Sequence, residues 1–570
     1  MSKNSTSAKS ILSFKAIVVI TIMAVLLAFL TTMNRIGTDY SVSEGATSII
    51  ANSCVINEIS EEFLRQKQNE TYTYSVTGED PWVMYEGLND SYKGVLISLA
   101  NNNDRDFEVK VYWTRENDAA LSESRSKTVA FSKGRNNCYI KLPSYPINFL
   151  RIDISANCEL KDIALLKNSP KFSYSVDFKF MAAFVISFLL IFVVLYFAAC
   201  SHYERVKAGG RFFRGMFINE SVKDGYMYEY DYIRTLAALL VIMMHSVIEN
   251  FAPSVTIGQP GYFTLKLVLA LSTVCNVLYV MLSGALLLKP KDESIRDFYT
   301  KRLARVCIPT LSYYLLYMLL GFRTEVFKNG IWEGIKEILT GLASGRPEHM
   351  LHMWFIYAIL GLYILAPFWR IVISKISEGT LFGLILTGFL LNCLSSYLPL
   401  IGIKFGIDTS IIGWTGVFLL GYYMTTEHAR KRFAWFLSLG VAGMAATVAV
   451  IYYRPDLLFY FSNQTPLEWL FGAGIFAFFT HFGCFKRRNI VVESISKYNF
   501  SIMLIHVLLL MKFILPIGWG LQMDYGHLRI CIVGIIATCF VLSYVLSVFY
   551  DNTAIAAANY IYSKLCNRKK

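Results

Sequence analysis

"DYIRTLAALLVIMMHSVIEN", residues 231–250, is the stretch on which the reading of this chain turns. It is apolar enough for a bilayer, yet it holds Arg234 and, eleven residues later, His245. On an α-helix eleven residues advance about 1100°, three turns plus roughly 20°, and climb about 16 Å. Arg234 and His245 therefore share one stripe of one helix, near its two ends. An ionisable side chain is costly in lipid, faces a bundle interior or a wet cavity, and marks a candidate functional site. A lone arginine near a helix end can instead snorkel to the headgroups, and a lone histidine can pack as a neutral core residue.

Composition supports a membrane class. Of 570 residues, 55% are apolar and only 17% charged, with a mean hydropathy of +0.44. A soluble chain carries about a quarter charged residues. The formal charge of +13 does not point to nucleic acid, because no basic stripe is interleaved with aromatics. Membrane proteins gather Lys and Arg in cytoplasmic loops for topological reasons.

A bilayer takes about 20 apolar residues to cross. The first such run, "AIVVITIMAVLLAFLTTM" at 16–33, follows Lys3, Lys9 and Lys15, and without an A-x-A-like site it reads as an uncleaved anchor. The second is "FMAAFVISFLLIFVVLYFAAC" at 180–200. Further runs lie near 228–248, 262–288, 306–321, 351–370, 379–396, 410–425, 434–452, 466–482, 499–516 and 529–549. With the N-terminus inside, the inner loops collect basic clusters such as Arg205, Lys207, Arg211 and Arg214, and the outer loops carry few. The expected fold is an α-helical polytopic membrane protein of about 12 transmembrane helices, both termini cytoplasmic, in the plasma (inner) membrane.

Residues 34–177 differ. "FEVKVYWT", "CYIKLP" and "FLRIDIS" alternate apolar and polar residues between Gly, Asn, Asp and Pro turns, the pattern of a β-sandwich. The topology puts this domain outside the cell. Trp82, Tyr85 and Trp113 can stack on sugar rings, which would make the domain carbohydrate-binding, or fill its core. Cys138 and Cys158 are a candidate disulfide there. No CxxC or metal-ligand spacing occurs, so no metal site is expected. The organisation is a cytoplasmic N-terminus and signal-anchor helix (1–33), the β-rich domain (34–177), a transmembrane helix (178–200) and a cytoplasmic linker (201–227). A ten-helix core (228–550) and a basic cytoplasmic tail (551–570) complete it.

Within the core, "KRLARVCIP" (301–309) places Arg302 and Arg305 one turn apart at the inner face, as topology anchors or as guanidinium forks for phosphates. "HMLHMWFIYAILGLYILAP" (349–367) opens with His352, Trp354 and Tyr357; the aromatics suit an interfacial belt, while His352 falls at the depth of His245. "SISKYNFSIMLIH" (494–506) carries His506 inside a span, with Ser501 five residues earlier.

In this order, Asp231-x-x-Arg234 with "TLAALLVIMMH", then "VMLSGALLL", "FYTKRLARVCIP", "HMWFIYAILGLYIL", "GVFLLGYYM" and "SKYNFSIMLIH", the chain resembles the membrane acyltransferase family 3 from about 228 to 550. The Arg234–His245 element is specific in this company; the other motifs are individually weak, and the "H-x-W-F-x-Y" helix is similar to the branch that modifies surface polysaccharides. The resemblance implies transfer of an acyl group, usually acetyl, from cytoplasmic acyl-CoA (acetyl-CoA) as co-substrate, with no bound cofactor, to a carbohydrate hydroxyl. It implies His245 as catalytic histidine, Arg234 as its motif partner, and Arg302 and Arg305 as the paired donor-binding arginines. Asp231, His352, Trp354, Tyr357 and His506 are acceptor or pore-lining candidates. Many members carry a soluble esterase-like domain with a GDS-type serine after the core; none is read here, so no relay through such a domain is expected. The 34–177 domain is not accounted for by the family.

The chemistry agrees with the residues. A sugar hydroxyl needs a base to attack a thioester, and a histidine of pKa about 6.5 is matched to that task. The arginines lie at the inner face and His245 near the outer, a gap that an extended pantetheine arm covers in large part. A covalent acyl-histidine relay stays open. A glycan-unit transporter, and a membrane-anchored sensor with an exterior ligand-binding domain, are the readings from other classes.

Overall fold

The computed structural model describes residues 14–32, 37–41, 46–48, 56–59, 63–68, 71–76, 81–100, 107–115, 121, 125–131, 137–142, 146–168, 171–176, 178–207, 212–218, 225–250, 262–291, 293–405, 410–454, 457, 465–514 and 528–567. The described residues fall into two compact units, one within Phe14–Val193 and one within Val194–Phe513 together with the helices that follow Leu528.

The first unit begins with helix α1 (Phe14–Thr32) and continues through thirteen strands. These are β1 (Gly37–Ser41), β2 (Ala46–Ser48), β3 (Ile56–Ile59), β4 (Phe63–Gln68), β5 (Thr71–Val76), β6 (Trp82–Glu86), β7 (Gly94–Ala100), β8 (Phe107–Arg115), β9 (Ser126–Phe131), β10 (Asn137–Lys141), β11 (Ile147–Ile154), β12 (Cys158–Leu166) and β13 (Lys171–Ser175). One antiparallel sheet runs β10-β7-β12-β5-β4, with β2 also on β12, and another runs β3-β6-β11-β8-β9. Alternation along β11 buries Leu150, Ile152 and Ile154, because successive side chains leave a strand on opposite faces. Ile97, Ile140 and Ile163 of the first sheet join Val83, Val111 and Ile152 of the second in one buried cluster. Each such side chain contributes roughly 1.5–3 kcal/mol by leaving water.

Two expectations are resolved here. Tyr85 is fully buried and Trp113 packs against the cluster, while the face of Trp82 is covered by the Arg151 guanidinium at 5.1 Å. Tyr85 and Trp113 belong to the core, whereas Trp82 lies on the outer face of β6 beside Arg151. Cys138 and Cys158 do not form the expected bridge. They lie on β10 and β12, with β7 between them in the sheet. Two strand spacings, about 10 Å, exceed the roughly 7 Å that a disulfide spans between Cα atoms. Burial pushes the Cys158 thiol up to about 12.

Beyond α2 (Phe178–Lys207), the second unit is helical. It comprises α3 (Phe212–Phe217), α4 (Glu229–Asn250), α5 (Tyr262–Ser272), α6 (Val274–Leu287), α7 (Ile295–Leu316), α8 (Arg323–Val326), α9 (Ile331–Ser344), α10 (Met353–Ile373), α11 (Glu378–Tyr397) and α12 (Ser410–Tyr423). Then follow α13 (Glu427–Lys431), α14 (Phe433–Tyr453), α15 (Pro466–His481), α16 (Ile490–Leu509), α17 (Leu528–Tyr550) and α18 (Ala556–Asn567). Ser294 starts α7 by accepting from the Asp297 amide, and Asn489 starts α16 by accepting from Val491 and Val492. Such caps satisfy the free amides of a first helical turn.

Helix is present at each apolar run read from the sequence, and among the described residues eight stretches are long and apolar enough to cross a membrane. The chain is a membrane protein. The remaining runs lie in α1, α7, α12 and α15. At 14 and 16 residues, α12 and α15 fall short of the about 20 a span takes, and α7 is made polar by Arg296, Lys301, Arg302 and Arg305. Residues 551–567, expected as a tail, continue as a π-turn (Asp551–Ile555) and α18. The 201–227 linker is also held: the Lys497 amine and Tyr498 hydroxyl donate to backbone carbonyls of α3.

Glycines set the closest packing. A Cβ on Gly284 of α6 would strike the Phe418 backbone of α12, and one on Gly421 of α12 would strike Met281 of α6. The two helices meet backbone to backbone, which only glycine permits.

Candidate active site

Three histidines from three elements converge. His245 on α4 and His506 on α16 have ring centroids 5.0 Å apart. His352, just before α10, lies 6.0 Å from His245 and 5.6 Å from His506. His506 is fully buried, and its Nδ1 pairs with the Met503 carbonyl at 2.8 Å. His352 Nε2 pairs with the Leu504 carbonyl at 3.3 Å. A carbonyl can only accept, so each of those nitrogens carries the hydrogen and the other holds a lone pair. Those other nitrogens, His506 Nε2 and His352 Nδ1, are buried without a partner among the described residues, as is His245 Nδ1. Buried polar atoms are nearly always paired, so three orphans in one place mark a site.

Tyr317 braces this triangle. Its ring is 5.8 Å from His352, and its hydroxyl donates to the Leu504 carbonyl at 2.9 Å while accepting from the Leu508 amide at 2.8 Å. A regular helix joins those two groups directly. Just beyond, α16 passes into the π-turn Leu510–Ile514, and Tyr317 itself opens the π-turn Tyr317–Gly321. Such turns recur at functional sites. Sequence reasoning missed Tyr317, because a tyrosine in an apolar run reads as a belt residue.

At the other end of the α4 stripe, Asp231 is almost wholly buried and its Oδ1 is crowded with donors. Arg234 Nη1 lies at 2.8 Å, Ser496 Oγ at 2.6 Å and the Tyr226 hydroxyl at 3.0 Å. Asn499 of α16 donates to the Arg234 carbonyl. This network bolts α4 to α16 and so fixes His245 against His506. Burial, with the Asp231 charge beside it, pushes the Tyr226 phenol up to about 12, which keeps it a donor.

Arg302 is half-buried with its Nε unpartnered among the described residues, and Arg305 is exposed. Burial first, and then the Arg305 charge, lower the Arg302 guanidinium from its usual value. Nearby, Glu293 meets Lys301 and Arg370, each at 3.5 Å. Arg370 also donates to the Leu287 carbonyl and covers the Phe298 ring at 4.7 Å. Arg370 and Glu293 escaped the sequence reading, since an arginine ending an apolar run looks like a topological anchor.

Trp354 turns to Trp414, with centroids 6.2 Å apart, and the Tyr357 hydroxyl donates to the Leu342 carbonyl; neither joins the histidine triangle. The Ser501 hydroxyl goes to Asp551 at 2.7 Å rather than to His506. Among the described residues no cluster could hold a metal ion.

The model of the family described as an acyltransferase domain, membrane acyltransferase family 3, matches residues 227–548, more than half of the chain. The chain belongs to the membrane acyltransferase family 3. No curated protein and no solved structure matches it. The matched range takes in the three histidines, Asp231, Arg234, Arg302 and Arg305 and stops short of Tyr226 and Asp551, and the strand-rich unit lies outside it.

Proposed function

We propose that the protein transfers an acyl group, an acetyl group for preference, from acyl-CoA to a hydroxyl of a surface or exported carbohydrate, with His245 as general base. The observation that carries this reading is the triangle of histidines inside the acyltransferase domain. Attack by the acceptor oxygen on the thioester carbonyl forms the C–O bond as the C–S bond breaks. The hydroxyl proton passes to His245 Nε2 and then to the CoA thiolate, so the histidine ends as it began. The lone pair of His506 Nε2 is suited to receive the His245 Nδ1 hydrogen after a small rotation. That contact would orient the base and stabilise the imidazolium, the role that a carboxylate fills in a serine-protease triad.

Arg302 and Arg305 supply guanidinium forks for the phosphates of the donor. The topology that goes with this mechanism has about 12 spans, both termini cytoplasmic, and residues 34–177 as an exterior β-sandwich. Labelling of a single cysteine at residue 100 from outside the cell tests that orientation.

The deciding experiment is His245→Gln in the full-length protein. Loss of a general base costs about 10²–10⁴ in rate, so the variant should insert and bind acetyl-CoA but scarcely transfer. Near-normal turnover would make His245 a packing residue and the reading wrong.

A further inference from the structure

A cavity open at the surface lies one helical turn from Tyr317 and takes no part in the contacts described so far. It holds about 250 Å³ between Tyr314 and Met318 of α7 and Thr340, Gly341 and Ser344 of α9. Residues 314, 317 and 318 stand at i, i+3 and i+4, on one face of a helix. The ring of Tyr317, the middle member, is 5.8 Å from His352. Between the cavity and His352 stands the buried Tyr317 side chain. Gly341 keeps it open: a Cβ there would stand 2.7 Å from the Tyr314 hydroxyl and 2.9 Å from Pro347.

The lining selects a chemistry. The Tyr314 hydroxyl donates to the Ile338 carbonyl at 2.8 Å, Thr340 to that of Lys336 at 2.8 Å, and Ser344 to that of Gly341 at 3.0 Å. Each hydroxyl hydrogen is thus spent inside the protein, and each oxygen keeps a lone pair. The Glu337 carboxylate, which also faces His349 at 3.6 Å, adds acceptors, and Arg346 adds donors. The Tyr314 ring, Met318 and Pro347 form an apolar patch beside them.

A mostly apolar lining edged by hydroxyl and carboxylate oxygens and one guanidinium complements a sugar ring, whose C–H faces pack on the apolar wall while its hydroxyls reach the polar edge. With Glu337 beside Arg346 the lining has no net positive charge to hold a phosphate, and the volume lies below the roughly 300–1,000 Å³ of pockets for drug-sized ligands, too small for a whole CoA. A lipid tail would set hydrocarbon against the Glu337 carboxylate and the Arg346 guanidinium. We propose that this cavity is the subsite for one sugar ring of the acceptor glycan, adjacent to the ring that receives the acyl group. The assignment rests on the acyl-transfer reading of the histidine site.

The test is amide hydrogen exchange over residues 337–347 of the full-length protein in nanodiscs. The probe is the pool of oligosaccharides released from the surface of the cells that make it. Protection is expected with the glycans, and Thr340→Val and Ser344→Ala should each weaken it while His245→Gln retains it. In transfer assays the same two variants should raise the KM for glycan about two- to tenfold, the loss of one neutral hydrogen bond, with the KM for acetyl-CoA unchanged. Absence of protection by the glycan pool, or protection by acetyl-CoA or added phospholipid in its place, overturns the assignment. Protection by glycan without any acetyl transfer in the native protein leaves the sugar site standing and sinks the acyl-transfer reading.

Discussion

His352 and Tyr317 share one acceptor: both reach the carbonyl oxygen of Leu504, the tyrosine at 2.9 Å and the histidine at 3.3 Å. The shared oxygen ties the position of His352 to the shape of α16 two residues before His506. Removing the tyrosine hydroxyl should therefore disturb two histidines at once. In Tyr317→Phe the Leu508 amide can return to Leu504 directly, so the stability cost should stay near about 1 kcal/mol. A misplacement on the order of 1 Å at the site costs about 10²-fold in rate. Transfer should fall about 10- to 100-fold with the KM for acetyl-CoA unchanged. Steady-state kinetics and thermal unfolding in detergent give the two numbers, and a loss of stability without loss of turnover would refute the link.

The donor side predicts a different signature. Arg302→Ala should weaken acetyl-CoA binding by about 1.5–3 kcal/mol, the cost of a charge-assisted contact, and Arg305→Ala should do so by less because that side chain is exposed. Titration calorimetry on folded variants measures both. Unchanged affinity in both would leave the arginines as topological anchors.

For the α4–α16 bolt, Asp231→Ala leaves Arg234 without its counter-charge inside the bundle. Breaking a buried pair from one side costs about 3–5 kcal/mol, and the partial exposure of Arg234 places this variant at the low end. Ser496→Ala removes one of three donors to that carboxylate and should cost about 1.5 kcal/mol, the low end for a bond to a charged group. Denaturation midpoints that rank the two the other way would show that the serine, not the charge pair, holds the helices.

Glu293 predicts a pH effect. Burial opposes its ionisation, but Lys301, Lys291 and Arg370 outweigh it and hold the carboxyl below its ordinary value. A carboxyl with a depressed folded pKa contributes stability that is full above its unfolded pKa, about 4.3, and is lost as pH falls through the folded value. The stability gap between the native protein and Glu293→Gln should be widest at neutral pH. It should narrow below about pH 5, as followed by unfolding at stepped pH. A gap that does not change with pH would mean the carboxylate charge contributes nothing there.

Much of this was legible in the residues. Apolar runs located the helices, because lipid leaves little choice of composition, and period-two alternation located the strands. Equal depth of His245 and His352 followed from counting along two spans. What pairing each ring would adopt did not follow, since it depends on carbonyls of α16 that every sequence supplies alike. Arg234 and His245 were correctly placed on one stripe, yet the stripe divides its labour: Arg234 turns to Asp231 and Ser496, and His245 to the other imidazoles. Ser496 and Asn499 stood in full view within "SISKYNFSIMLIH" and carried no signal, because small polar residues in helices pack as often as they bind. Gly284 and Gly421 sat in quoted motifs, and only the α6–α12 contact gives them a reason.

That contact also bears on motion. Helices pressed backbone to backbone cannot slide past one another without collision, so α6 and α12 form the stationary side of the bundle, a stator. On the proposed function, a passage for a long thioester and a bulky glycan would open on another side. On α7, Pro309 interrupts the hydrogen-bond ladder and the π-turn Tyr317–Gly321 loosens the end that touches His352. On the proposed function, that helix links the donor-side Arg302 to Tyr317 beside His352, so a shift along it would couple donor arrival to histidine alignment.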